Sequence, residues 1–142
     1  MSCITIPGMK LISKSMLLAL AITCSALSWA QETARENLVG SWEGPLVLGR
    51  DNMNLAFTFS QSGDDFAATL TSRGLGIYGM PADTVMVEGR RITIRIPRLD
   101  LEFTGTTRMN EAGDAILRID GDWFQYSEMV PVVLLPVESP TF

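Results

Sequence analysis

Histidine is absent from this chain, and cysteine occurs only as Cys3 and Cys24. Without histidine, neither a Ser–His–Asp triad nor a Cys–His pair can be assembled. Zinc sites built from histidine and cysteine are excluded for the same reason. Lysine is confined to Lys10 and Lys14. There is no glycine-rich loop ending in Lys-Ser/Thr, so the chain has no phosphate cradle of that type. The longest apolar run, Met16 to Leu27, has about twelve residues and is too short to cross a bilayer comfortably as a helix. No cofactor is expected from this inventory.

The first thirty residues form a unit of their own. Lys10 and Lys14 precede the apolar run, and Ser28-Trp29-Ala30 follows it with small residues at the −3 and −1 positions of a cleavage site. Basic region, apolar core and small exit residues are the signature of a secretory signal peptide. The alternatives are an uncleaved anchor and a lipid on Cys24, before which Thr23 stands in place of the usual small Gly or Ala. Cleavage after Ala30 delivers an exported chain, periplasmic or secreted, of 112 residues from Gln31 to Phe142. That chain has no cysteine, so in an oxidising compartment it stands on its core without a disulfide. Its nine arginines face sixteen Asp plus Glu, a formal charge of −7. Such acidity disfavours nucleic acid and anionic membranes, where basic clusters supply the affinity. No integral span is expected after cleavage, and the chain reads as a monomer. Arg90, Arg91, Arg95 and Arg98 read as the solvated face of a strand.

After a polar leader, 31–37, the chain reads as strand after strand over 38–137, with a short tail at 138–142. Met53, Leu55, Phe57 and Phe59 alternate with Asn54, Ala56, Thr58 and Ser60, a period of two with one buried face. Ile92, Ile94 and Ile96 alternate with Arg91, Thr93 and Arg95, and Leu101 and Phe103 with Glu102 and Thr104. Gln61 to Asp64, Gly89-Arg90 and Asn110 to Asp114 supply turns. About eight strands at regular spacing predict an all-β fold, an antiparallel up-and-down barrel. Closure removes the exposed edges and lets the first and last strands pair.

Gly40-Ser41-Trp42 opens the first strand and Gly121-Asp122-Trp123 lies late in the seventh. Trp42 and Trp123 are expected as structural plugs at the barrel ends, with Arg118 a candidate to stack on Trp42. Gly40-x-Trp42-x-Gly44 resembles the opening of lipocalin-like and avidin-like barrels. Over Leu38 to Val137 the chain also resembles the small β domain that precedes the α/β-hydrolase domain in some secreted bacterial esterases and peptidase-like proteins. The matching pieces are Gly-Ser-Trp-Glu-Gly (40–44), Gly76-Ile77-x-Gly79-Met80-Pro81, Phe103-x-Gly105 and Gly121-x-Trp123. The nucleophile, base and oxyanion hole of those enzymes belong to the hydrolase domain, and no Gly-x-Ser-x-Gly elbow occurs here. The resemblance therefore implies a fold and an accessory role, not hydrolase activity.

Carboxylate pairs remain as possible chemistry. Asp64 and Asp65 sit in a turn that favours aspartate for local reasons, and Asp120 and Asp122 share one strand face. The segment Ser72 to Asp83 (SRGLGIYGMPAD) carries more information. It is read as a long, apolar, glycine-hinged loop at the barrel mouth, where polar connections are usual. Leu75, Ile77, Tyr78 and Met80 are the candidate binding residues, for a small apolar ligand or a protein partner such as a hydrolase. The leading expectation is a non-catalytic exported binding module. A periplasmic enzyme inhibitor and a carboxylate-based hydrolase are the alternatives.

Overall fold

A computed structural model describes residues 37–142. The signal peptide, its cleavage site and the leader up to Glu36 lie outside those residues. Among the described residues nine strands follow one another: β1 (Gly40–Leu48), β2 (Asp51–Ser62), β3 (Asp65–Ser72), β4 (Ile77–Pro81), β5 (Thr84–Glu88), β6 (Arg91–Ile96), β7 (Leu101–Met109), β8 (Ile116–Gln125) and β9 (Glu128–Val137), with a 3-10 turn at Pro97–Leu99. All neighbours are antiparallel, in the order β4-β3-β2-β1-β9-β8-β7-β6-β5. The sheet curls into a half-barrel. First and last strands do pair, from Ser41↔Val137 to Glu43↔Leu135.

Nine strands replace the expected eight because Ser72 to Asp83 is not simply a loop. Its first part is the β3–β4 turn, closed by hydrogen bonds from Leu75 N to Ser72 O and from Gly76 N to Arg73 O. Ile77 to Pro81 then pairs with β3, at Ser72↔Ile77, Leu70↔Met80 and Thr69↔Pro81, across a register shift. The buried Ser72 hydroxyl donates to Asn54 O at 2.8 Å, which ties the irregular stretch to β2.

Only Ala82 and Asp83 separate β4 from β5, although these strands are the two ends of the sheet. Ala82 N donates to Ala68 O at 2.9 Å, and Asp83 N donates to Arg95 O at 3.0 Å. One continuous run of chain thus leaves β3 and joins β6, bringing the sheet ends together and producing the curl.

The concave side is filled. Leu55, Phe57, Phe59, Ile92, Ile94, Ile96, Leu101 and Phe103 are all buried, and Met53 is half-buried against them. The Phe57 and Phe103 rings meet at 5.1 Å between centroids, tilted by 44°. Burial of each such side chain stabilises the fold by about 1.5–3 kcal/mol, which is how a chain without a disulfide among these residues holds together.

Candidate recognition surfaces

The four residues singled out in 72–83 do not form one surface. Ile77 is buried, and Leu75 and Met80 pack half-buried against the core. Tyr78 alone points outward, with 67% of its surface exposed. Alternation parts Ile77 from Tyr78, and the register shift against β3, with Gly79 at φ 63°, returns Met80 to the core side opposite buried Leu70.

Trp42 and Trp123 are both buried. The Trp42 indole Nε1 donates to Leu38 O at 2.8 Å, which fastens buried Leu38, two residues before β1, over that end of the core. Trp123 Nε1 is buried with no acceptor within reach among the described residues. Arg118 does not stack on Trp42. It stands on the outer face, where its Nε donates to Asp120 Oδ1 at 2.8 Å. A register irregularity between β7 and β8 falls at Arg108 and Met109, opposite Arg118 and Ile116, and shifts the alternation there.

The outer face of β6, β7 and the start of β8 is charged and polar. Arg95 and Glu102 are cross-strand partners at 2.8 Å. Arg108 and Arg118 both hold Asp120, at 2.9 and 2.8 Å. Hydrogen bonds from Arg108, then from Arg118, keep the Asp120 carboxyl below the usual carboxylate range. A carboxylate stabilised as an anion is a poor proton donor, which counts against Asp120 as a general acid. A polar groove of about 310 Å³ runs between Arg91, Thr104, Thr106 and these two aspartates. Among the described residues no group of three or more His, Cys, Asp or Glu is placed to hold a metal ion.

The most distinctive surface lies elsewhere, on β8 and β9. From Met129 to Val137 no residue is polar. Val132 and Leu134 are buried and Val130 packs on the core. The opposite parity faces solvent: Met129 is 68% exposed, Val133 45% and Leu135 54%, with Pro131 exposed between them. Across the ladder Phe124 pairs with Met129 and is exposed as well. Tyr126 and Ser127 form the two-residue turn between these strands, both with left-handed backbone, φ 51° and 65°. Such a turn favours Asn-Gly, and a bulky residue there is an outlier. An apolar run without alternation signals a strand covered on both faces. That signal is present in 129–137.

Neither protein-family models, nor curated proteins, nor solved structures yield a match to this chain.

Proposed function

We propose that this chain is an exported, non-catalytic recognition module that engages a protein partner with its surface. The observation that carries this reading is the contrast between a concave side filled by Phe57, Phe59, Phe103 and Trp123 and an apolar row left on the convex side of β9. A filled interior leaves little volume for an enclosed ligand. The groove beside Trp42 measures about 170 Å³, below the range of roughly 300 Å³ and upward usual for small-molecule sites. The groove of about 310 Å³ on the outer face is lined by Arg91, Thr104, Thr106, Asp120 and Asp122, which do not suit an apolar ligand. Export rests on the basic, apolar and small-residue pattern of the first thirty residues. The resemblance over Leu38 to Val137 to the β domain that precedes some secreted hydrolase domains makes a separately encoded hydrolase a reasonable class of partner. Tyr78 supplies a second exposed contact on β4, with Leu75, Ile77 and Met80 anchoring it to the core.

Two measurements test the reading. A photoreactive side chain at Tyr78 or Val133, introduced in the producing cells, is expected to give a discrete protein adduct, whereas one at Thr93 gives none. Titration with an apolar fluorescent fatty acid is expected to show no saturable one-to-one binding. Saturable uptake, with no adduct at either position, would replace the protein partner by an internal ligand.

A further inference from the structure

We propose that the seam between β3 and β5 is a slot for a single extended segment of a protein partner, held by main-chain hydrogen bonds to both strands. The site is separate from the β9 row and from Tyr78. Two turns decide which main-chain groups line it. Gly63-Asp64 and Gly89-Arg90 are two-residue turns that open on glycine at φ 63° and 61°, so the residues flanking each turn exchange hydrogen bonds. Those residues are Ser62 with Asp65, and Glu88 with Arg91. Bonding alternates from there. Asp65 and Ala67 turn their main-chain groups to β2, and Glu88, Met86 and Thr84 turn theirs to β6. Phe66, Val85 and Val87 are left pointing the other way, into the seam. Ala68, next in that series on β3, does point there, and its carbonyl accepts from Ala82 N at 2.9 Å. Beyond this bond the seam has no ladder, since β3 is bonded to β2 and β4, and β5 to β6 alone. A groove of about 240 Å³ runs between them, lined by 64–66 on one side and 85–88 on the other. Its floor is apolar, because Phe66, Val85 and Val87 pack half-buried on the core.

Free N–H and C=O groups at strand spacing are matched by another extended backbone. The slot has a strand edge on each side. The folded sheet edge of a second copy cannot enter it, whereas one strand free on both sides can bond to β3 and β5 together. Sheet edges are commonly guarded by proline, bulges or lysine. β4, at the other end of the sheet, has Pro81, a register shift and Gly79 at φ 63°. β5 reads Thr-Val-Met-Val-Glu and has none of these. Charge sets the character of the segment. Asp65 and Glu88 share the outward parity of Ala67 and Met86 and stand on opposite walls at the open end, with Asp64 beside them. None of the three is in an ion pair among the described residues. Arg91 stands on β6, across Glu88 from the seam, and neither it nor Arg90 lines the groove. The fitting occupant therefore turns apolar side chains to Phe66, Val85 and Val87 and a basic one outward.

The test uses protein purified from cells carrying the full-length gene, and three short peptides. One alternates valine with lysine, one is the same with its valine amides N-methylated, and one alternates valine with glutamate. In the free protein the amides of Phe66, Val85 and Val87 are expected to exchange at least about tenfold faster than those of Ala67, Met86 and Glu88. The valine–lysine peptide is expected to bind and to slow the first three. Methylation, which leaves the protein untouched, should weaken binding about tenfold. Val87→Pro should weaken it likewise with the β6 ladder intact, whereas Met86→Pro cuts a bond to β6 and should lower the melting temperature further. Asp65→Asn with Glu88→Gln should weaken binding about threefold to fivefold, while Glu111→Gln with Glu138→Gln leaves it unchanged. The proposal is overturned if Phe66, Val85 and Val87 are already protected in the free monomer, since the seam is then closed. It is also overturned if the peptide protects other strands instead, if the methylated or glutamate peptide binds as well, or if the Glu111 and Glu138 control weakens binding as much. Protection that grows with protein concentration alone would make a second copy the occupant and overturn it too. Adducts at Tyr78 and Val133 test the recognition reading through other residues, so either can fail alone.

Discussion

The ring of Phe103 occupies the space that a side chain on Gly121 would need. A Cβ at Gly121 would lie 2.5 Å from Phe103 Cζ and 2.7 Å from Thr104 O, so both a buried ring and the neighbouring backbone oppose it. Gly105, its cross-strand partner, is similarly closed by Phe103 and Ile119. Gly121→Ala is therefore expected to destabilise the fold by about 1–3 kcal/mol through overpacking. Urea unfolding checks this, and an unchanged midpoint would mean that Phe103 can move aside.

The two buried tryptophans respond differently to loss of the indole N–H. Trp42→Phe leaves Leu38 O without its donor. Trp123→Phe removes a buried donor that has no acceptor among the described residues. The volume lost is the same, so Trp42→Phe is expected to cost more, by about 1–3 kcal/mol. Denaturant midpoints of the two variants measured side by side decide the order.

Acid should weaken the outer ion-pair cluster through Asp120. Its folded pKa is depressed by Arg108 and then Arg118, so its contribution is present above the unfolded carboxylate value, about pH 4. The contribution is lost as pH falls through the folded value. Asp120→Asn is expected to be less stable than the parent at neutral pH, with the difference shrinking below about pH 4. Thermal unfolding across that range reads it directly, and a difference independent of pH would contradict it.

The β8–β9 turn offers a gain in stability. Tyr126→Asn with Ser127→Gly places the residues that tolerate left-handed backbone where φ is 51° and 65°. The melting temperature is expected to rise, in line with about 1–2 kcal/mol of relieved strain. If Tyr126 contacts the partner, the same variant weakens docking, so stability and binding should move in opposite directions.

Much of the inward face was legible because it obeys a period of two. Leu55, Phe57, Phe59, Ile92, Ile94, Ile96, Leu101 and Phe103 were read as inward from alternation alone, and each is buried. β4 was not legible. Its five residues include Gly79 with φ 63° and Pro81, both of which read as turn residues. Pro is confined to edge strands and bulges, and β4 is an edge strand, held by pairing with β3 that local sequence does not reveal. Arg118 is not a stacking partner, and plain alternation already says so: it shares the parity of Asp120 and Asp122, opposite to buried Ile119 and Trp123. The β9 surface was hidden for the opposite reason: an apolar run states that two faces are apolar, but not which of them the fold leaves open.

The crossing at Ala82 and Asp83 also bears on how the chain folds. Joining the ends of a nine-stranded sheet would ordinarily demand a search over most of the chain. Here the two end strands are consecutive in sequence, so bringing them near each other involves a loop of two residues and little entropy. The long search is transferred to the middle of the sheet, where Ser41 must find Val137. Rates fall as contacts become more distant in sequence, so the β1–β9 ladder is expected to form after the local hairpins, an order that pulsed amide exchange during refolding would read.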